Sequence, residues 1–365
     1  MKMTTMMLVV AGVVALLVAA PGGANAATIG GMEVSEEAAA FSAISEQVCQ
    51  VFAAMEFEPV DWSSVVEIYE APFEINGEST SLKEIATEGP VSVGGDDDND
   101  VWEAFQDYFD DEDWLDTNVL EGGEDLDNET DGARTELVQK TSRDALGVAL
   151  TLAFLEDAAE ALDDGDVEQA ILFTEIAWVI YHGYDNGDGD TGNGCAPYGT
   201  GESRSGNFGL PGDVTANIES AFSAAMAALS VDAGGGAASD AQEEILENLL
   251  DTVARAVTIT YLRAALRYGV RMDGDAAAGN PDNLRVNQLE GLAFFRVIEP
   301  LVASFDEDLA EAVESFFVVS NYEPDESGEI DLSDYEDIGE ELGEVIDDIL
   351  EELGIDKEIE FGELQ

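Results

Sequence analysis

The chain has 365 residues, 45% of them hydrophobic, enough to bury one large core or two modest ones. Against 13 basic residues stand 81 acidic ones, a formal net charge of −68. A surface of that sign repels nucleic-acid phosphates and anionic lipid, which excludes both as partners, and it attracts metal cations.

The first 26 residues read as a secretory signal. Lys2 supplies a positive start, an apolar run covers 7–20, and Ala24-Asn25-Ala26 offers a cleavage site. No later segment gives about 20 apolar residues free of charge, so no membrane insertion is expected after cleavage. The mature chain is then expected to be secreted, in the extracellular or periplasmic space. In such a compartment Cys49 and Cys195 are expected to form a disulfide, two buried free thiols being the alternative.

Residues 27–34 read as a flexible lead. Ser35 then caps a helix with Glu36 and Glu37 in its first turn, and Ala40, Phe41, Ile44, Val48, Val51 and Phe52 form its apolar stripe. Asp61 starts a shorter helix that Pro72 stops, and a further short one is expected over 81–87. The run GGDDDND at 94–100 precedes the aromatic helix VWEAFQDYF, and another helix follows over 112–120. Residues 122–132 are acidic and rich in turn formers. They mark the boundary between an N-terminal helical subdomain, 27–130, and a main bundle, 131–320.

The main bundle opens with a helical pattern over 133–162, a turn at 163–166 and an apolar helix over 166–184. A long glycine-rich loop is expected at 185–212. Asp213 caps the next helix, and AGGGAAS links it to a long one that begins with the capping box Ser239–Gln242. Pro281 opens another, which Pro300 is expected to kink, and a short helix follows at 306–319. The remainder, 321–365, is an acidic C-terminal helix and tail. Strand signals are weak and confined to 71–75 and 358–361. The fold class expected is all-α, a multi-helix bundle. Residues 149–162 align loosely with 256–269, each followed by a turn and a second helix, as two pseudo-repeated helical hairpins would be.

Carboxylates inside apolar helices are the first site candidates. Glu175, Glu290 and Glu299 must be paired, protonated or metal-bound if buried, because an isolated buried charge is very costly. Glu and His on facing helices are the set by which bundles hold iron, and His182 lies two turns from Glu175. That makes Glu175, His182, Glu290 and Glu299 the candidate metal ligands, although no Glu-x-x-His pair occurs. Ion pairing competes with ligation. Six of the basic residues fall between Arg255 and Arg296, and Arg263, Arg267 and Arg271 recur every four positions on one helix face. With Arg296 they form a stripe suited to ion pairs with those carboxylates or to an anion.

The segment EPDESGEIDLSD, 323–334, resembles a calcium loop with Glu323, Asp325, Ser327, Asp331 and Asp334 at oxygen-donor positions. Glu at the first position, Pro324 at the second and the short Asp334 at the last predict weak calcium binding. There is no G-x-S-x-G, P-loop or H-E-x-x-H, so no catalysis is expected.

Three stretches, AWVIYHGY, GCAPYGTGESRSGNFG and EGLAFFRVIEP, together resemble the algal Fe-assimilating, low-iron-inducible periplasmic protein family. DWSSVVEIYE, SLKEIAT and WEAFQDYFDDEDWLD are similar in kind to its N-terminal part, and the likeness covers most of 40–305. The resemblance implies an extracytoplasmic helical protein that assists iron uptake without being a transporter, with cell-surface iron transport machinery as its partner. It carries no ligand set across. The alternative expectation is a secreted structural or cell-surface protein of a salt-adapted organism that binds cations such as calcium nonspecifically.

Overall fold

A computed structural model describes residues 26–95, 99–120, 130–184, 192–210, 212–230, 239–318, 332–335 and 337–365. The architecture is all-α, with two small antiparallel hairpins as the only sheet among these residues. The N-terminal part runs β1 (Ala26–Ile29), β2 (Met32–Ser35), α1 (Glu36–Ala39), α2 (Ser42–Met55), α3 (Trp62–Tyr69), β3 (Phe73–Ile75), β4 (Glu78–Thr80), α4 (Leu82–Glu88), α5 (Asp100–Phe109) and α6 (Trp114–Leu120). Then come α7 (Asp131–Lys140), α8 (Leu146–Asp163), α9 (Val167–His182), α10 (Pro197–Asn207), α11 (Asp213–Ser230), α12 (Asp240–Ala278) and α13 (Pro281–Arg296). The chain closes with α14 (Glu299–Ala303), α15 (Glu307–Ser315) and α16 (Ile338–Glu352).

The helix starts follow from side chains that satisfy orphan backbone donors. Ser35, Asp61, Ser81, Asn99, Thr130, Asp166 and Asn280 each accept from a backbone N–H one turn on. The Ser239–Gln242 capping box is formed as the sequence predicts, and the helix it opens runs 39 residues to Gly279, left-handed at φ 68°. Such a helix is about 58 Å long, so it serves as a spine. On it pack α11, α13, α16 and α8, while α8 pairs with α9. Both segments aligned as a repeat therefore form the first arm of a helical hairpin, α8 with α9 and α12 with α13.

The apolar interior is one connected cluster reaching from Ile29 to Phe361. At its centre α8 is buried almost all round, from Leu146 to Leu155, as a helix without a polar face must be. Cys49 of α2 and Cys195 are joined, with Cα atoms 5.4 Å apart and 146 positions between them in sequence. Closing a loop that long is worth about 5 kcal/mol in the chain-entropy model.

Four expectations are corrected. Residues 27–34 are not a loose lead; they form the β1–β2 hairpin, pinned where Trp178 Nε1 donates to the Ile29 carbonyl at 2.9 Å. Gly30 (φ +56°) turns the hairpin directly over Trp178 and His182, where an added Cβ would come within 2.5 Å of each ring. The expected loop at 185–212 holds a helix, α10, over Pro197–Asn207. Its glycines cost about 1 kcal/mol each in propensity. Burial of Pro197, Thr200, Gly201 and Ser205 outweighs that, and Thr200 Oγ1 donates to buried Asp144 at 2.7 Å. Residues 357–361 form a helical turn rather than a strand, because Asp356 accepts from the amides of Glu358 and Ile359. Asp213 does not cap α11 but is its first residue, and its carboxylate is drawn to Arg263. The 71–75 strand signal is matched by β3.

Candidate functional site

Glu175 and His182 lie on the same helix, and the packing engages each with its own neighbours. Glu175 Oε2 accepts from the Ser35 hydroxyl at 2.6 Å and the Ser35 amide at 3.0 Å. His182, 3% exposed, sits among rings, with centroids 5.1 Å from Trp178 and 4.7 Å from Tyr198. The two residues thus hold the N-terminal hairpin and α10 against α9.

Glu290 anchors a denser polar cluster where α7, α12 and α13 meet. It accepts from the Tyr268 hydroxyl, and Lys140 Nζ lies 3.3 Å from the same oxygen. Lys140 also bridges to Glu136 at 2.5 Å, one turn back on its own helix. Burial raises the Glu136 carboxyl above its usual range; Glu290 adds to that rise and Lys140 opposes it. Burial, reinforced by Glu290, pushes the Tyr268 hydroxyl up to about 12. Arg271, Asn283 and Asn287 join Glu136 and Glu290 around an adjacent cavity of about 580 Å³.

The arginine stripe does not act as one surface. Arg263 is fully buried and forks onto Asp213 at 3.1 and 2.8 Å, with further bonds to the carbonyls of Glu360 and Phe361. Arg296 donates to Asn118 at 2.5 Å and lies 4.0 Å from Glu314. Among the described residues the hydrogen bonds of Arg267 and Arg271 go to neutral groups, the Tyr268 hydroxyl at 3.0 Å and Asn287 at 3.4 Å. Arg204 of α10 joins them over the Tyr268 ring.

Glu299, 1% exposed, accepts from the Tyr108 hydroxyl at 3.0 Å, and its second oxygen has no hydrogen-bond partner among the described residues. Burial and the neighbouring Glu314 push its carboxyl up to about 8, against the pull of Tyr108 and Arg296. At neutral pH it is therefore mostly protonated. Glu175, Glu290 and Glu299 have separate partner sets, and among the described residues no three His, Cys, Asp or Glu side chains gather as a metal-holding group.

Neither a family model, nor a curated protein, nor a solved structure matches this chain. Its own geometry therefore carries the functional reading. Of the calcium-loop residues, Glu323, Asp325, Ser327 and Asp331 lie outside the described residues, and Asp334 falls in a short helical turn, Leu332–Tyr335. An acidic cleft of about 610 Å³ lies elsewhere, lined by Asp157, Glu160, Asp164 and Asp166 with no basic side chain.

The sequence does not single out Lys140, Glu136, Tyr268 or Arg204 as site residues. The four-residue spacing of Glu136 and Lys140 was a usable signal. Arg204 had none, because its segment reads as loop and its partners are 64 and 90 positions away, at Tyr268 and Phe294.

Proposed function

We propose that the protein works outside the cell as an acidic helical carrier that gathers metal cations, iron among them, on its carboxylate surface. One observation carries this reading: acids outnumber bases 81 to 13, and three of those bases are buried rather than set among the surface acids. Arg134, Lys140 and Arg263 are 5%, 6% and 0% exposed. The surface therefore carries a large excess of negative charge. The disulfide supports an oxidising compartment. The resemblance to iron-assimilation proteins supports iron as a cargo handed to transport machinery at the cell surface.

The nominated carboxylates are occupied by Ser35, Lys140, Tyr268 and Tyr108, so the cations are held loosely by surface acids rather than in a closed cage. Equilibrium dialysis of the metal-stripped mature chain against iron(II) without oxygen, and separately against calcium, tests this. Several equivalents of each should bind at low ionic strength and be released as sodium chloride approaches about 1 M, where screening reaches roughly 3 Å. Uptake of less than one equivalent at low salt would overturn the reading.

A further inference from the structure

Three arginines converge on one tyrosine. The guanidinium carbons of Arg204, Arg267 and Arg271 lie 5.7, 5.3 and 5.4 Å from the Tyr268 ring centroid. Arg204 is also 5.2 Å from the Phe294 ring, which stacks on Tyr268 with centroids 5.7 Å apart. None of the three forms an ion pair with a described carboxylate. Their hydrogen bonds go to neutral oxygens, of Asn207 at 3.2 Å for Arg204, of Tyr268 for Arg267 and of Asn287 for Arg271. The Nε of Arg204 is buried and has no partner among the described residues.

In a chain with 81 acidic residues this is the reverse of what charge statistics dictate. Arg255, Arg263 and Arg143 each take a carboxylate. Glu290, which lies beside the cluster, already accepts from Tyr268 and Lys140. Cation–π attraction, about 0.5–2 kcal/mol per contact, holds the guanidinium groups near the ring but does not cancel their mutual repulsion. That repulsion is felt: burial lowers the Arg267 guanidinium below its usual range, and Arg204 and Arg271 lower it further, against the opposing pull of Tyr268 and Glu290. Half-buried Arg267 and Arg204 lie inward, whereas Arg271 is exposed and opens onto the cavity shared with Asn283 and Asn287.

We propose that Arg204, Arg267 and Arg271 form a binding site for a small polyvalent oxyanion, a phosphate or a di- or tricarboxylate. Guanidinium forks match such oxygens in pairs, and Tyr268 and Phe294 form the floor that holds the forks in place. The anion supplies the direct ion-pair partner that none of the three guanidinium groups finds among the described residues. The overall −68 does not forbid it, because at physiological salt the Debye length is about 8 Å and distant carboxylates are screened. The cavity also carries Glu136, Asp275 and Glu290, so the charged end of a ligand is held on the arginine side. This site is independent of cation gathering, and either reading survives failure of the other.

The test is isothermal titration calorimetry of the metal-stripped mature chain, in metal-free buffer, with sodium phosphate in one arm and sodium citrate in the other. One saturable equivalent is expected in at least one arm, and the arm that responds identifies phosphoryl or polycarboxylate chemistry. Arg271→Gln, at an exposed position, and Arg204→Gln should each weaken binding at least tenfold. Arg255→Gln, which breaks a pair with Glu360 elsewhere, should leave it unchanged. Melting curves provide a second reading: the probe should raise the Tm of the native chain and of Arg255→Gln, but not of the other two. No saturable heat in either arm would overturn the proposal. So would binding that persists undiminished in folded Arg271→Gln.

Discussion

Ser35 and Glu175, 140 positions apart, are joined twice: the carboxylate of one takes both the hydroxyl and the backbone N–H of the other, at 2.6 and 3.0 Å. The Ser35 oxygen also accepts from the Ala38 amide at 3.2 Å as the cap of α1. A single serine thus starts a helix, ends the β1–β2 hairpin and ties both to α9. Glu175→Ala leaves two donors without their charged acceptor and should cost about 1.5–3 kcal/mol. Thermal melts of Glu175→Ala, Ser35→Ala and the double variant check this. The two losses should overlap strongly, and strictly additive losses would show that the pair does not act as a unit.

Arg263 binds the C-terminal turn to the bundle. Its side chain reaches Asp213 of α11, Ser205 of α10 and the carbonyls of Glu360 and Phe361. Arg263→Met leaves Asp213 and two carbonyls without their donor and should cost about 3–5 kcal/mol. Burial pushes the Asp213 carboxyl up, but Arg263 and Ser205 outweigh it, and the net position is below its usual 3.8. The sign follows from linkage. A depressed carboxyl contributes stability that is present above the unfolded value and is lost as pH falls through the folded one. Urea melts carried from neutral pH to below about 3.8 should therefore show a steeper loss for the native chain than for Arg263→Met.

Much of this architecture was legible in the sequence. Helical periodicity located α2, α8, α9, α12 and α13, and short capping side chains fixed their starts, because both signals are local. Cys49 and Cys195 were legible for a different reason: two cysteines admit one pairing. What escaped was tertiary. The β1–β2 hairpin depends on Trp178 and Glu175, far along the chain, and α10 is helical against its own glycines because α9, α11 and α12 surround it. The acids Glu175, Glu290 and Glu299 stood out as polar residues in apolar stretches. Their partners did not, since Ser35, Lys140, Tyr268 and Tyr108 carry no mark of being partners until the chain folds.

The surface makes a prediction about salt. Exposed pairs such as Lys83–Glu70, at 2.7 Å, are worth about 0–1 kcal/mol and weaken as salt screens them. Like-charge repulsion among 81 acids against 13 bases is the larger effect, and screening relieves it. The Tm should therefore rise as sodium chloride is raised from low ionic strength. A Tm that fell with salt would mean that the ion pairs outweigh the repulsion.

Glu299 should set an alkaline limit on stability. Tyr108 of α5 faces it as a donor, Glu314 of α15 as a like charge and Arg296 of α13 as a cation, and burial dominates all three. Its carboxyl titrates at about 8 in the fold, against an ordinary 4.5. The folded state thus holds a proton that the unfolded chain has released. The resulting stability is fully present below about 4.5 and is lost as pH rises through about 8. Above that, ionisation places a buried charge beside Glu314, with only Tyr108 donating to it. Glu299→Gln keeps an acceptor for Tyr108 and removes the proton to be lost. Because the many surface acids also titrate, the informative quantity is the difference in Tm between the variant and the native chain. That difference should grow in favour of Glu299→Gln as pH rises towards and past about 8. Parallel curves for the two proteins across that range would show that Glu299 is ionised at neutral pH and that the α5–α14 junction is indifferent to its charge.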